Sequence, residues 1–281
     1  MIASFAELVA PLTTAEFLAL LQRRKLMFRR NEGANRFADL LSWTKLRNIL
    51  VNREFALDNL RVQRESVPIQ RLFYSDNKKI DLPKIDLLMT GNTSLIVAPV
   101  DPYEPVLTAL CDDIRSHTLD NITIGAIVTA GAGGAFIRHF DNEDLIILKI
   151  EGTKRWQIYD PTVRNPAKGM PKTPPPAGAP VFDDLLRPGD FLFLPAGHWH
   201  RCENGPEKSL HLGIFFDPIV AWQPINDLVR DMLSEELFRL PLTRFDHASD
   251  LASIEARVKS RLVEKISALS FGEAIAAQAK K

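Results

Sequence analysis

Between residues 122 and 216 the chain is a series of short segments rich in β-branched and aromatic residues, separated by turns of glycine, proline and aspartate. The β-rich segments cover residues 122–129, 144–150, 155–159, 190–194 and 210–216. Their lengths and turn residues are typical of strands, and no segment with a helical period interrupts them. This succession predicts an antiparallel double sheet or barrel.

The regions on either side of this series are predicted to be mainly helical. Thr13 and Glu16 form the pattern of a capping box, and Ser42 precedes a second apolar helical repeat. Short strands are predicted at 25–29, 60–64 and 95–98, and a helix at 101–114. After Pro218 the apolar residues return to a helical period in two stripes, within 225–233 and 251–266. The predicted division is 1–94, 95–218 and 219–281.

Charge and cysteine content exclude several classes of protein. The chain has 35 Lys and Arg against 35 Asp and Glu, so neither bulk electrostatic binding of nucleic acid nor polybasic membrane binding is expected. Two cysteines, Cys111 and Cys202, cannot form a disulfide framework or a CxxC metal knuckle. The first residues lack the basic start and cleavage site of a signal peptide. A cytoplasmic location without membrane attachment is therefore expected.

The motif His139-Phe140-Asp141 is the strongest candidate for chemistry. On a strand, residues two apart project to the same face, so an imidazole and a carboxylate could bind one metal ion together. A third ligand is expected from the segment 195–200, where His198 and His200 are both candidates. Two histidines and one carboxylate form the facial triad of non-haem iron oxygenases, although the spacing also allows zinc or manganese.

Three segments resemble one known family. They are RHFDNEDLIILKIEGTKRWQIYDP at 138–161, LRPGDFLFLPAGHWH at 186–200 and SLHL at 209–212. Together they resemble the JmjC/cupin-type Fe(II)- and 2-oxoglutarate-dependent oxygenases, with the ribosomal-oxygenase-like branch as the nearest. Weaker similarity in the flanking regions extends the resemblance over most of the chain.

The resemblance implies a mainly β core, a double-stranded β-helix or cupin jelly roll, with helical N-terminal and C-terminal flanks. It implies Fe(II) held by His139, Asp141 and His200, with His200 preferred over His198 because it ends the PxGxxH run. Lys154 takes the position of the residue that binds the distal carboxylate of 2-oxoglutarate, and His211 is a further cofactor-binding candidate. The strand at 124–128 departs from the pattern, because related enzymes often carry a polar cosubstrate-binding side chain there.

The implied function is hydroxylation of a side chain in a protein or peptide, with release of succinate and CO₂. Three alternatives stay open: a hydroxylase of a small molecule or biosynthetic peptide, a cupin metalloenzyme that does not use 2-oxoglutarate, and a non-catalytic binding module. In the resembling proteins the region after Pro218 dimerises, and the stripe within 251–266 is too apolar to face water alone. A homodimer is therefore expected.

Overall fold

The computed structural model describes residues 2–77, 79–171, 173–244 and 248–278. Contacts among these residues divide the chain into two compact units, Met1–Asp217 and Pro218–Lys281. The predicted boundary between residues 94 and 95 stays a prediction. Short strands from the region before it join the large sheet of the core.

The first unit is built on two antiparallel sheets, counted over the described ranges. The strands are β1 (Met27–Arg29), β2 (Leu60–Arg64), β3 (Val67–Pro68), β4 (Ser75–Asp76), β5 (Lys79–Ile80), β6 (Thr93–Val97), β7 (Asn121–Ala130), β8 (Gly133–His139), β9 (Asp144–Glu151), β10 (Lys154–Tyr159), β11 (Phe182–Leu186), β12 (Phe191–Leu194), β13 (Trp199–Asn204) and β14 (Ser209–Asp217). The large sheet has the order β1-β12-β9-β14-β7-β6-β2-β3, the small sheet has the order β11-β10-β13-β8, and β4 pairs with β5 as a separate ribbon.

Alternation along the strands gives the large sheet two different faces. On β9, Ile146, Leu148 and Ile150 join the main apolar cluster, which also contains buried side chains of the helices. Leu145 and Ile147 project to the other face and pack with Trp156 and other residues of the small sheet. The space between the two sheets is therefore enclosed by the inner faces of both.

Helices cover the outer face of the large sheet. In this unit they are α1 (Phe5–Val9), α2 (Thr14–Arg23), α3 (Trp43–Leu50), α4 (Leu82–Leu88) and α5 (Pro105–His117). The predicted caps are present: Thr13 and Glu16 form a complete capping box on α2, and the Ser42 hydroxyl accepts from the Lys45 N–H at the start of α3. Phe17 of α2 lies edge-on to Phe193 of β12, with ring centroids 5.1 Å apart. These contacts fix the helices on the sheet.

The predicted fold class, a mainly β double sheet with helices at both ends, is confirmed. The strand β11 and the helix α4 were not expected, because neither has a clear apolar period. The helix predicted at 101–114 begins later, at Pro105, after a short 3₁₀ turn at Asp101–Tyr103. The proline-rich segment between β10 and β11 contains no helix or strand in its described part, which excludes residue 172.

The second unit is helical in its described part. It contains α6 (Trp222–Asp231), α7 (Ala248–Ser267) and α8 (Phe271–Gln278), with short 3₁₀ turns between α6 and α7. Arg261 of α7 makes a two-pronged ion pair with Glu235, and Lys265 pairs with Glu235 and Asp231. None of the helices in the described ranges is both long and apolar enough to cross a membrane.

Candidate active site

Three side chains converge at one end of the space between the sheets. His139 ends β8, His200 lies directly opposite on the paired strand β13, and Asp141 follows β8 by two residues. The imidazole centroids are 4.3 Å apart, and the Asp141 oxygens lie 4.0 Å from His139 Nε2 and 3.6 Å from His200 Nε2. One ligand atom from each residue lies within 4.8 Å of the others, an arrangement that could hold a metal ion.

Both histidines present the same nitrogen to the centre of this group. His139 Nδ1 donates to the Ile137 carbonyl at 2.8 Å, and His200 Nδ1 donates to the His198 carbonyl at 3.1 Å. Each Nε2 is therefore left as the acceptor, as in metal-binding histidines whose other nitrogen is held by a main-chain carbonyl. Burial, together with the neighbouring His139, lowers the pKa of His200 to about 3, so its ring is neutral at pH 7.

The position of Asp141 depends on a tertiary contact and not on strand alternation alone. β8 ends at His139, so Asp141 lies in the following turn, where its carbonyl accepts from the Gly197 N–H at 3.0 Å. Gly197 has φ +85°, and a Cβ there would lie 2.7 Å from the Val163 carbonyl oxygen. Only glycine fits this turn without strain, so the turn before β13 fixes Asp141 beside His200.

His198 lies outside this group of three. Its Nδ1 donates to the Pro195 carbonyl at 3.0 Å, within the turn that precedes β13. Of the two histidines left open by the spacing, His200 is the one that converges with His139 and Asp141.

Lys154 is fully buried at the other end of the space between the sheets. The turn before it requires glycine, because Gly152 has φ +63° and its Cβ would lie 2.2 Å from the Lys208 carbonyl oxygen. Along β10, Lys154 and Trp156 point inward, whereas Arg155 points to solvent and pairs with Asp183, as alternation predicts. Lys154 Nζ donates to Thr129 Oγ1 at 2.9 Å, and burial lowers its pKa to about 8.

Two further titratable groups lie beside Lys154. Lys149 on β9 is fully buried, and its Nζ donates to the carbonyls of Glu151 and Leu210 at 2.5 and 3.0 Å. Burial and the charge of Lys154 hold the pKa of Lys149 well below its ordinary value. His211 is paired with Lys149 across the strands, at a bulge in β14. Burial, together with the charges of Lys154 and Lys149, holds the pKa of His211 well below its ordinary value. Within the described ranges its Nδ1 has no hydrogen-bond partner.

A cavity of about 410 Å³ opens beside the triad. His139, Asp141, His200 and His211 line it, together with Trp156. Most of the remaining wall is apolar, with residues of β6, β8, β9 and β14, and one side is formed by polar residues of β2 and the turn after it. The site is therefore a largely apolar pocket whose wall includes the triad and His211.

Sequence reasoning missed three polar residues of this region. Positions 145, 147 and 149 of β9 face inward, and Lys149 is the charged residue among them. Strand alternation could have identified it as an inward-facing lysine. Thr129 is the penultimate residue of the apolar strand β7, and it contacts Lys154. Arg61 lies on β2 between the buried Leu60 and Val62, and it lines the cavity. That β2 joins the site at all was not visible in the sequence.

The comparison with protein families agrees with this geometry. Residues 103–221 match the model of the JmjC domain. The chain is 24% identical over 212 residues to the bifunctional lysine-specific demethylase and histidyl-hydroxylase NO66 of Drosophila persimilis, covering 74% of this chain and 31% of the relative. It is 35% identical over 106 residues to ribosomal oxygenase 2 of Rattus norvegicus, covering 35% of this chain and 23% of the relative. The chain thus corresponds to less than a third of the length of these curated relatives.

Solved structures share the fold. The ribosomal oxygenase YcfD of Escherichia coli superposes with a TM-score of 0.63 at 20% identity, covering 94% of this chain and 71% of that chain. YcfD in complex with cobalt and 2-oxoglutarate gives a TM-score of 0.60 at 19% identity, covering 91% and 68%. The resemblance expected from the sequence motifs is confirmed.

Proposed function

We propose that the chain is an Fe(II)- and 2-oxoglutarate-dependent oxygenase that hydroxylates a side chain of a protein or peptide. The match of residues 103–221 to the JmjC domain model supports this proposal. The observation that carries this proposal is the convergence of His139, Asp141 and His200 in the wall of one cavity, with the buried Lys154 on the neighbouring strand β10. The names of the relatives, a histidyl-hydroxylase and a ribosomal oxygenase, support both the class of reaction and a protein substrate.

The donor set fits iron. His139 and His200 each offer a neutral Nε2, since each Nδ1–H is held by a carbonyl, and Asp141 offers a carboxylate oxygen. Two imidazoles and one carboxylate on one side of an ion leave coordination positions open on the other side. In the proposal, His139, Asp141 and His200 hold the metal through these atoms.

The surroundings of Lys154 fit the distal carboxylate of 2-oxoglutarate. A buried ammonium is costly unless a partner compensates it, and within the described ranges Lys154 has a hydroxyl and no carboxylate as its partner. A carboxylate here would pair with Lys154 and accept from Thr129, and the pairing would raise the pKa of Lys154 again. Thr129 thus supplies a polar contact that the apolar strand 124–128 lacks. The unpartnered His211 Nδ1 is assigned to the same cosubstrate.

The residues of this chain bind, orient and exclude water. When bound, iron and 2-oxoglutarate together supply oxygen activation, in which decarboxylation to succinate and CO₂ accompanies insertion of one oxygen atom into a C–H bond. Lys154 and Thr129 would hold one end of the cosubstrate, and His139, Asp141 and His200 would hold the metal. The apolar wall, including Ile147 and Phe215, keeps water away from the reacting centre.

Succinate release tests the proposal. Wild type incubated with Fe(II), 2-oxoglutarate and O₂ should form succinate, and Asp141→Ala should lose this activity because one of the three ligands is missing. Asp112→Ala, on the exposed side of α5, serves as the matched control and should keep wild-type turnover. Equal turnover in wild type and Asp141→Ala would contradict the assignment. Binding of Zn(II) or Mn(II) by wild type without succinate formation would instead favour a metalloenzyme of another class.

We further propose that the chain forms a homodimer through the unit Pro218–Lys281. Three apolar side chains of α6 and α7 support this: Val229, Val263 and Ile266 are 54%, 64% and 53% exposed. A second copy would cover such side chains. Light scattering at micromolar concentration should give twice the mass of 31.6 kDa, and Val263→Glu should reduce it to the monomer value. A monomeric wild type would contradict the proposal.

We also propose a cytoplasmic location. Its support is that Cys111 and Cys202 are both buried free thiols, as is usual in reducing compartments. Fractionation of cells that express the protein would test the proposal, and recovery with membranes or in the medium would contradict it.

A further inference from the structure

One wall of the cavity differs in chemistry from the others. It is formed by β2, whose even-numbered Leu60 and Val62 are buried on the outer side of the sheet. The alternate residues Arg61 and Gln63 project to the inner side and line the cavity, because β2 extends the large sheet through its pairing with β6. The turn after β2 adds Ser66, whose hydroxyl accepts from the Ile137 N–H of β8 at 3.0 Å. The β2 wall is thus fastened to the strand that carries His139.

Arg61 is the cation of this wall. Although exposed to solvent, it lines the same cavity as His139, Asp141 and His200. No hydrogen bond or ion pair engages its guanidinium within the described ranges. Among the described residues that line the cavity, Asp141 is the one carboxylate. A cationic side chain that entered would therefore meet Arg61 without an acidic partner of its own.

The aromatic rings of the cavity also have other partners. Trp156 stacks on His200, with centroids 5.7 Å apart and an interplanar angle of 26°, and its edge contact with His211 is 5.6 Å. Phe136 faces the Lys154 ammonium at 5.4 Å. A methylated lysine is typically bound by an open cage of aromatic faces. Of the three Phe and Trp rings that line this cavity within the described ranges, two already contact other site residues, so the cavity does not present such a cage.

We propose that Arg61 sets the charge of the group that this site accepts: an uncharged or acidic side chain with a hydrogen-bond acceptor, and not a lysine or arginine cation. The inference rests on the proposed oxygenase function and specifies its substrate class. The guanidinium of Arg61 and the amide of Gln63 donate to an imidazole nitrogen, an amide oxygen or a carboxylate. An ammonium or guanidinium would be repelled by Arg61 and would lose hydration against the apolar wall. No contact with this wall offsets that desolvation cost.

The test uses small probes whose side chains are negative, neutral or positive. They are the N-acetyl, N-methylamide derivatives of glutamate, glutamine and lysine, titrated against protein loaded with Mn(II) and 2-oxoglutarate without oxygen. Binding is followed by tryptophan fluorescence, because Trp156 lies in the cavity. Four proteins are compared: wild type, Arg61→Gln, Arg61→Lys, and Arg64→Gln as the matched control. Arg64 lies on the same strand, is exposed and does not line the cavity.

Wild type should bind the glutamate and glutamine probes more tightly than the lysine probe. Arg61→Gln should shift the ratio of the lysine and glutamate dissociation constants by about tenfold towards lysine, because one unit charge is removed at a partly solvated site. Arg61→Lys and Arg64→Gln should keep the wild-type ratio. The inference is overturned if the ratio is the same in Arg61→Gln and wild type, including the case in which no probe binds either protein. A wild-type preference for lysine, or an equal shift in Arg64→Gln, also overturns it.

Succinate release in parallel separates this inference from the proposed function. If wild type forms no succinate with Fe(II), 2-oxoglutarate and O₂, the oxygenase proposal fails, whereas the probe ratios still report the effect of Arg61. If succinate forms and the ratios do not depend on Arg61, the oxygenase proposal stands and the substrate class assigned here is wrong.

Discussion

The two faces of the large sheet are made by the same strands, but the inner face buries ionisable side chains among its apolar ones. On the outer face, Leu148 of β9 and Leu212 of β14 lie in a continuous apolar cluster against the helices. On the inner face, the alternate positions carry Lys149 and His211, both buried, and the fully buried Lys154 lies opposite on the small sheet. Burial of apolar side chains contributes stability on both faces, whereas burial of the two lysines and His211 on the inner side costs free energy unless a ligand compensates it.

This difference shows where one strand serves folding and where it serves binding. Alternation lets a single residue step separate the two roles. Changes on the outer face should lower stability and leave ligand binding intact, and changes on the inner face should do the reverse. Four measurements test this contrast.

The largest expected effect is on the outer face. Leu212→Ala removes a fully buried side chain from the apolar cluster, and it should lower the free energy of unfolding by about 2–5 kcal/mol. The KM for 2-oxoglutarate of the folded protein should stay at the wild-type value. Denaturant unfolding and succinate kinetics on the same preparation measure both quantities. A raised KM would show that the two faces are coupled.

On the inner face, Lys154→Met should stabilise the protein in the absence of 2-oxoglutarate. Burial lowers the pKa of Lys154 from 10.5 to about 8, so its charge destabilises the folded state by up to about 3 kcal/mol below pH 8. Between pH 8 and about 10.5 the unfolded chain binds a proton that the folded chain does not, so wild-type stability rises with pH relative to the variant. The advantage of Lys154→Met should therefore fade over this window.

Unfolding curves at several pH values, with the exposed Lys79→Met as control, measure this difference. The control should show no such pH dependence. If Lys154→Met is less stable than wild type at pH 7, the buried ammonium has a compensating partner, and the contrast between the faces is wrong.

The same variant should lose activity. Without the ammonium, the distal carboxylate of 2-oxoglutarate would be buried against an apolar side chain, so kcat/KM for 2-oxoglutarate should fall by about a hundredfold or more. Arg155→Met, one residue along and pointing to solvent, is the matched control and should behave as wild type. Unchanged kcat/KM in Lys154→Met would remove Lys154 from the cosubstrate site.

The smallest expected effect is at His211. His211→Leu replaces a buried ring whose Nδ1 has no partner in the described structure, so stability should stay within about 1 kcal/mol of wild type. Loss of one neutral hydrogen bond to the cosubstrate should lower kcat/KM for 2-oxoglutarate by about tenfold. Succinate kinetics and thermal unfolding measure the two. A large loss of stability with unchanged kinetics would make His211 a structural residue.

Much of the fold could be predicted from local signals. The strand patterns at 144–150 and 155–159 and the Glu151-Gly152 turn were visible because each depends on neighbouring residues alone. The caps at Thr13 and Ser42 were visible for the same reason. The strand β11 was not, because its sequence Phe-Asp-Asp-Leu-Leu lacks alternation and it is a strand only through its pairing with β10.

The sequence by itself determined the types of the candidate ligands, the alternation of β10 that turns Lys154 inward and Arg155 outward, and the succession of strands that forms the double sheet. Only the tertiary structure decided which histidine converges with His139, since the pairing of β13 with β8 aligns His200 and leaves His198 in a turn. It also decided that Arg61 lines the cavity. The physical reason is that side-chain direction follows from local backbone geometry, whereas convergence depends on the register between strands far apart in the chain.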